Sequence, residues 1–218
     1  MNKEWSELNK AMQTQIRKKD TYETGINTLF DLRNQLMQTL IAIKEELRRE
    51  DFDAIPFINA DGYHSKTIAY SIWHIFRIED IVAHTVMGED EQVFFTGNYQ
   101  ERINAPIITT GNELIKQQIA DFSKQLNLNA LYSYIFEVKE TTEKIIRRLS
   151  FDDLKKKIPE ERKGYLQSLQ VVSTDENAAW LVDYWCNKDI RGLMQMPFSR
   201  HWIMHTEACL RIKNKICS

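Results

Sequence analysis

The chain has 218 residues, enough for one sizeable core, and no stretch of it has the composition of a domain linker. Gly (7) and Pro (4) are scarce while Ala, Leu, Ile, Glu, Lys and Gln fill the periodic stretches, which favours an all-α protein with a single domain over 1–218. The net charge of −2 comes with no basic stripe interleaved with aromatics and no long apolar run or leader, so nucleic acid and membrane are disfavoured and a soluble, cytoplasmic protein is expected.

Taken in chain order, residues 1–20 predict an N-terminal helical extension on Trp5, Leu8, Met12 and Ile16, closed by the charged run Arg17-Lys18-Lys19-Asp20. A long helix over about 21–49 carries Ile26, Leu29, Leu36, Leu40, Ile43 and Leu47 at bundle-type intervals. The next, over about 66–87, follows the Asp61-Gly62 turn with Ser65 as N-cap, carries Ile68, Ile72, Ile75, Ile78, Ile81 and Val82, and stops at Gly88. A polar connection of about 40 residues follows, with an aromatic patch (Phe94, Phe95, Tyr99), Pro106 and a short helix from about Asn112 to Leu126. Another helix over about 129–149 uses Leu131, Ile135, Val138, Thr142, Ile145 and Leu149.

From Phe151 to Thr174 the chain is charged and loop-like, with Leu166 to Val172 compatible with an extended segment. A shorter helix begins near Asp175 on Ala178, Ala179, Leu181, Val182 and Trp185, and ends at Gly192. The last helix, over about 198–216, has Pro197 in its favoured first-turn place. Four long amphipathic helices predict a four-helix bundle with short accessory helices. Its long connection after Gly88 can cross the bundle end, so up-down-up-down order is not required. The three cysteines, Cys186, Cys209 and Cys217, are odd in number, show no CxxC spacing and read as reduced thiols.

His201 and His205 are the most informative pair. Four residues apart, they share one helix face about 6 Å apart along the axis, a chelating distance. Their stripe is otherwise apolar (Phe198, Ala208, Ile212, Ile216), so docking the helix carries both imidazoles inward, where a ring without a partner is costly. His74 sits mid-stripe on another core helix, between Tyr70, Ile78 and Ile81. Three neutral imidazoles from two facing helices match the ligand count of an open metal site, with water in the fourth place; the alternative is three separately hydrogen-bonded histidines. His84, ten positions after His74, turns away round the helix, and His64 lies in the preceding loop, which could overhang a site at the bundle mouth; the favoured reading leaves both outside the cluster.

Cys209, four residues after His205, lies too far along the axis to share an ion with His201 and reads as a small core residue. Arg77, one turn after His74, could face a cavity and contact an anionic substrate, whereas inter-helix ion pairs or a solvated face is the reading favoured for Arg77, Glu79 and Asp80 together. Trp73 and Trp202 read as packing residues. The chain has no GxSxG, HExxH, phosphate-cradling glycine loop or di-iron ExxH pair.

One histidine in the second bundle helix, a long connection and an HxxxH pair early in the last helix resemble the DinB/YfiT-like family of metal-dependent enzymes. The resemblance spans roughly residues 20–217 and is strongest at Ile72-Trp73-His74-Ile75-Phe76-Arg77-Ile78-Glu79-Asp80 and at Met196-Pro197-Phe198-Ser199-Arg200-His201-Trp202-Ile203-Met204-His205. It implies a four-helix bundle with an unusual crossover, a divalent metal (zinc or nickel) on His74, His201 and His205, and a homodimer. Assigned family activities are mainly transfers or isomerisations with a low-molecular-weight thiol, and some are hydrolytic. Many relatives follow the pair with His-Arg-Gly-Gln, where this chain has Thr206-Glu207-Ala208-Cys209. The expectation is a metal-dependent enzyme acting on a small molecule, a thiol-dependent S-transferase first and a hydrolase second; the contrasting expectation is a non-catalytic, metal-stabilised dimer.

Overall fold

The computed structural model describes residues 2–218, and these are all-helical, with an isolated bridge between Lys157 and Asp189 and no strand. Helix α1 (Lys3–Gln15) starts at Asn2, whose side chain accepts from the Trp5 amide at 3.3 Å, and packs along α2 (Tyr22–Glu46). Gly25 permits that contact, since a Cβ there would lie 2.6 Å from Ile16 Cγ2 and 2.9 Å from its backbone nitrogen. Helix α2 buries Ile26, Leu29, Leu36, Leu40 and Ile43 and ends short of residue 49, because Leu47 turns extended (φ −108°, ψ 151°).

Helix α3 (Ile68–Asp80) is capped by Thr67, whose Oγ1 accepts from the Tyr70 amide at 3.1 Å. Ser65, the expected cap, instead donates to Gly62 O at 3.2 Å. The helix starts later because Thr67 is fully buried and held to Ser123 Oγ at 2.6 Å. Every residue of α3 is buried, and the helix continues as a π-helical segment over Ile81–Gly88. The long connection then forms α4 (Val93–Thr96), α5 (Tyr99–Ile103) and α6 (Gln117–Gln125). Left-handed backbone at Gly111 (φ 79°) and Lys116 (φ 49°) delays the helix predicted from Asn112.

Helix α7 (Leu128–Arg147) is capped by Asn127. The stretch expected to be loop-like holds α8 (Glu161–Ser168), and its Leu166 is in a helix rather than an extended segment. That helix has little apolar stripe of its own; Leu166 is its one buried residue, and α8 packs on α9 (Glu176–Cys186). Asp189 recaps the chain on the Gly192 amide at 2.8 Å, so the helix predicted to run to Gly192 is split into α9 and α10 (Ile190–Gln195). A π-helical turn over Met196–Arg200, with Pro197 at its start, leads into α11 (His201–Ile216).

Helix α3 packs on α7 and α11, and α2 packs on α11 and α7. One buried network joins all four. Arg33 of α2 meets Glu79 of α3 with a two-pronged ion pair (2.7 and 2.9 Å), donates to Glu143 of α7 at 3.1 Å, and lies over the ring of Trp202 of α11, which itself donates to Glu79 at 2.7 Å. No helix among the described residues is long and apolar enough to cross a membrane.

Candidate metal centre

Helices α3 and α11 bring His74, His201 and His205 together as the sequence predicts. One ligand nitrogen from each lies within 4.8 Å of the other two, and all three residues are buried. Ring centroids are 5.0 Å apart for His74 and His201, 4.8 Å for His74 and His205, and 4.6 Å for His201 and His205. The π-helical turn ends as α11 begins, so His201 opens the regular helix and His205 follows one turn later.

The three rings are neutral. Burial pushes His74 down to about 4, against the opposing pull of its hydrogen bond to Thr110. Burial also holds His201 and His205 well below the ordinary histidine value, with the neighbouring imidazoles adding to it. His74 Nδ1 lies 2.8 Å from Thr110 O. A carbonyl only accepts, so Nδ1 carries the proton and the Nε2 lone pair is left for the cluster. Nδ1 of His201 and Nδ1 of His205 are buried with no hydrogen-bond partner. Orphaned nitrogens of this kind are costly, and a cation held by the group would satisfy whichever ring nitrogens face it. Neutral imidazoles suit zinc or nickel, so the group could hold a divalent metal.

No fourth His, Cys, Asp or Glu joins the group among the described residues. On one side it opens on a cavity of about 520 Å³, walled by Tyr63 and Lys66 from the α3 approach, Tyr70 of α3, and Trp180 and Tyr184 of α9. That volume falls in the range of small-molecule sites.

Arg77 does not face this cavity. It is fully buried, donates to Ile108 O (2.9 Å) and Gln92 Oε1 (2.6 Å), pairs with Asp80 at 3.4 Å and lies over the Phe94 ring. The possible substrate contact is therefore corrected, in favour of pairing within the fold: its donors are spent on tying the long connection to α3. Glu79 points to Arg33 and Trp202 rather than to His74. His84 is held apart by Asp90 (2.9 Å) and Thr141 (3.0 Å). The His64 ring lies tilted against Tyr63 at 4.1 Å between centroids, outside the group. Cys209 is a core thiol, pushed up to about 12 by burial, with Ile68 O 4.0 Å from its sulfur.

The orienting role of Thr110 and the aromatic wall on α9 have no signature in the sequence. The nearest hint is Gly111, whose φ of 79° suits glycine and whose Cβ would meet Tyr70 Cε2 at 2.9 Å. Tyr70, His74 and Arg77 form one row on α3 that donates to the carbonyls of Gly111, Thr110 and Ile108. Compared with known protein families the chain matches no family model, and it has no match among curated proteins.

Proposed function

We propose that this chain is a metal-dependent enzyme of the DinB/YfiT-like kind, a four-helix bundle in which His74, His201 and His205 hold a zinc or nickel ion. The observation that carries the reading is a three-histidine group, with no fourth side-chain ligand among the described residues, open to a cavity of small-molecule size. A structural zinc is usually closed by four protein ligands, whereas a catalytic one keeps a place for water or substrate. Such an ion, when bound, supplies Lewis acidity that makes water or a thiol nucleophilic near neutral pH.

The chain's own residues set the conditions for that chemistry. Thr110 fixes the tautomer and orientation of His74, burial keeps all three imidazoles unprotonated, and aromatic side chains wall the open side. By its resemblance, the reaction is transfer to or from a low-molecular-weight thiol in a homodimer.

Purified protein is expected to carry about one metal equivalent per chain. The His201→Ala, His205→Ala double variant should lose it; unchanged metal content there sinks the site. Metal-loaded protein incubated with an electrophile and a thiol panel (glutathione, bacillithiol, cysteine) should show metal-dependent conjugation. A flat result across the panel overturns the transferase reading.

A further inference from the structure

Beside the neutral histidines the cavity wall carries one charged side chain, Lys66, and no carboxylate. Lys66 has no ion-pair partner among the described salt bridges, and burial lowers its pKa. Its ammonium lies 5.0 Å from the centre of the Tyr70 ring, and that ring stacks on His74 at 5.5 Å with 12° between planes. The cation therefore stands beside the histidine group, across one aromatic ring. A partly desolvated ammonium without a counter-ion is unfavourable, and three neutral imidazoles would leave a bound divalent ion uncompensated too. No carboxylate lines the cavity itself, so an anionic ligand would complement it.

The rest of the wall is aromatic. Tyr63 lies 5.9 Å from the His205 ring, and Trp180 meets Tyr184 edge-on at 5.5 Å. Trp180 is 51% exposed at the rim, an apolar surface that a ligand ring would cover. With no arginine and no glycine-rich loop in the wall, a phosphate or polyanion has no cradle.

Taking the metal site proposed above as its setting, we infer that the cavity binds a flat apolar monocarboxylate, its carboxylate on the Lys66 ammonium and its ring against Tyr63, Trp180 and Tyr184. Lys66 is then the specificity-determining residue, and α9 supplies the surface that selects an aromatic body.

The test is calorimetry on zinc-loaded and on chelator-stripped full-length protein with 3-phenylpropanoate, its neutral amide and acetate, with metal content measured for each sample. In the wild type the carboxylate should bind at least about tenfold more tightly than the amide, in both metal states. In the stripped protein Lys66→Met should bring the two together, its zinc uptake being unchanged, and Trp180→Ala should weaken 3-phenylpropanoate but not acetate. Equal binding of carboxylate and amide, no measurable binding of the carboxylate, or a preference that survives Lys66→Met in the stripped protein overturns the inference. If Lys66→Met does not fold, the wild-type comparison and Trp180→Ala still decide. If the protein takes up no metal yet keeps a Lys66-dependent preference, the metal reading fails and this one stands.

Discussion

His74 Nδ1 lies 2.8 Å from the carbonyl oxygen of Thr110, a residue 36 positions away on the long connection. The next residue, Gly111, accepts from the Tyr70 hydroxyl at 2.9 Å, so one turn of α3 holds two consecutive carbonyls of that connection. Gly111→Ala puts a Cβ 2.9 Å from Tyr70 at a φ of 79° and must shift this strap. The expected outcome is a loss of about 1–3 kcal/mol of stability from strained backbone. A fall in metal affinity of roughly tenfold or more should accompany it, as for other lost outer partners of a ligating histidine. Competition with a chromophoric chelator checks this; wild-type affinity in a destabilised variant would show that the strap does not orient the ligand.

Metal removal should be felt in stability. The three imidazoles come from helices far apart in sequence, so the unfolded chain has no preformed site and binding energy becomes folding energy. Stripped protein is expected to melt lower, and returning zinc should stabilise it by about 2.7 kcal/mol at a free concentration of 100 Kd. The His201→Ala, His205→Ala variant should show no such response in a zinc titration followed by thermal melting.

The metal-free protein should also be sensitive to acid. Folding lowers the His74 pKa from 6.5 to about 4, and lowers His201 and His205 in the same direction. Between the unfolded and folded values the unfolded chain binds protons that the native one does not, so stability rises with pH through that window. The contribution is full above about pH 6.5 and is lost as pH falls toward the folded value of about 4. Urea midpoints measured from pH 8 to 5 should decline below about 6.5, and less steeply in the double alanine variant. A midpoint that stays level in the wild type would contradict burial of three neutral rings.

The histidine pair was legible because both ligands sit on one helix, four residues apart, amid an apolar stripe, and His74 because it interrupts another such stripe. Arg77 was open to two readings, since a charge one turn from a ligand can serve site or scaffold. Only the return path of residues 108–111 and Gln92 decides it. Helix α8 escaped notice because its stability comes from packing on α9 rather than from periodicity, which leaves a sequence reader one buried Leu166 to find. Leu181 and Trp185 were legible as part of a helix face, but a core stripe and a cavity wall look alike until the neighbouring helix is placed, and Trp180 was not among the stripe residues.

Arg33 links that scaffold to the site. Besides Glu79 and Glu143 it donates to Phe198 O at 3.2 Å, in the π-helical turn that ends as α11 begins at His201. Arg33→Met keeps the bulk but leaves Glu79 buried against a single indole donor, a loss of about 3–5 kcal/mol typical of a broken buried pair. Adding Glu79→Leu removes the stranded charge, so the double variant should recover part of that loss rather than add to it. The Phe198 carbonyl loses its Arg33 donor in both. If the turn positions His201, both variants should bind zinc more weakly than the wild type even where the double variant regains stability. Chemical denaturation reads the first quantity and chelator competition the second. Zinc affinity that recovers together with stability would show that Arg33 supports the fold alone.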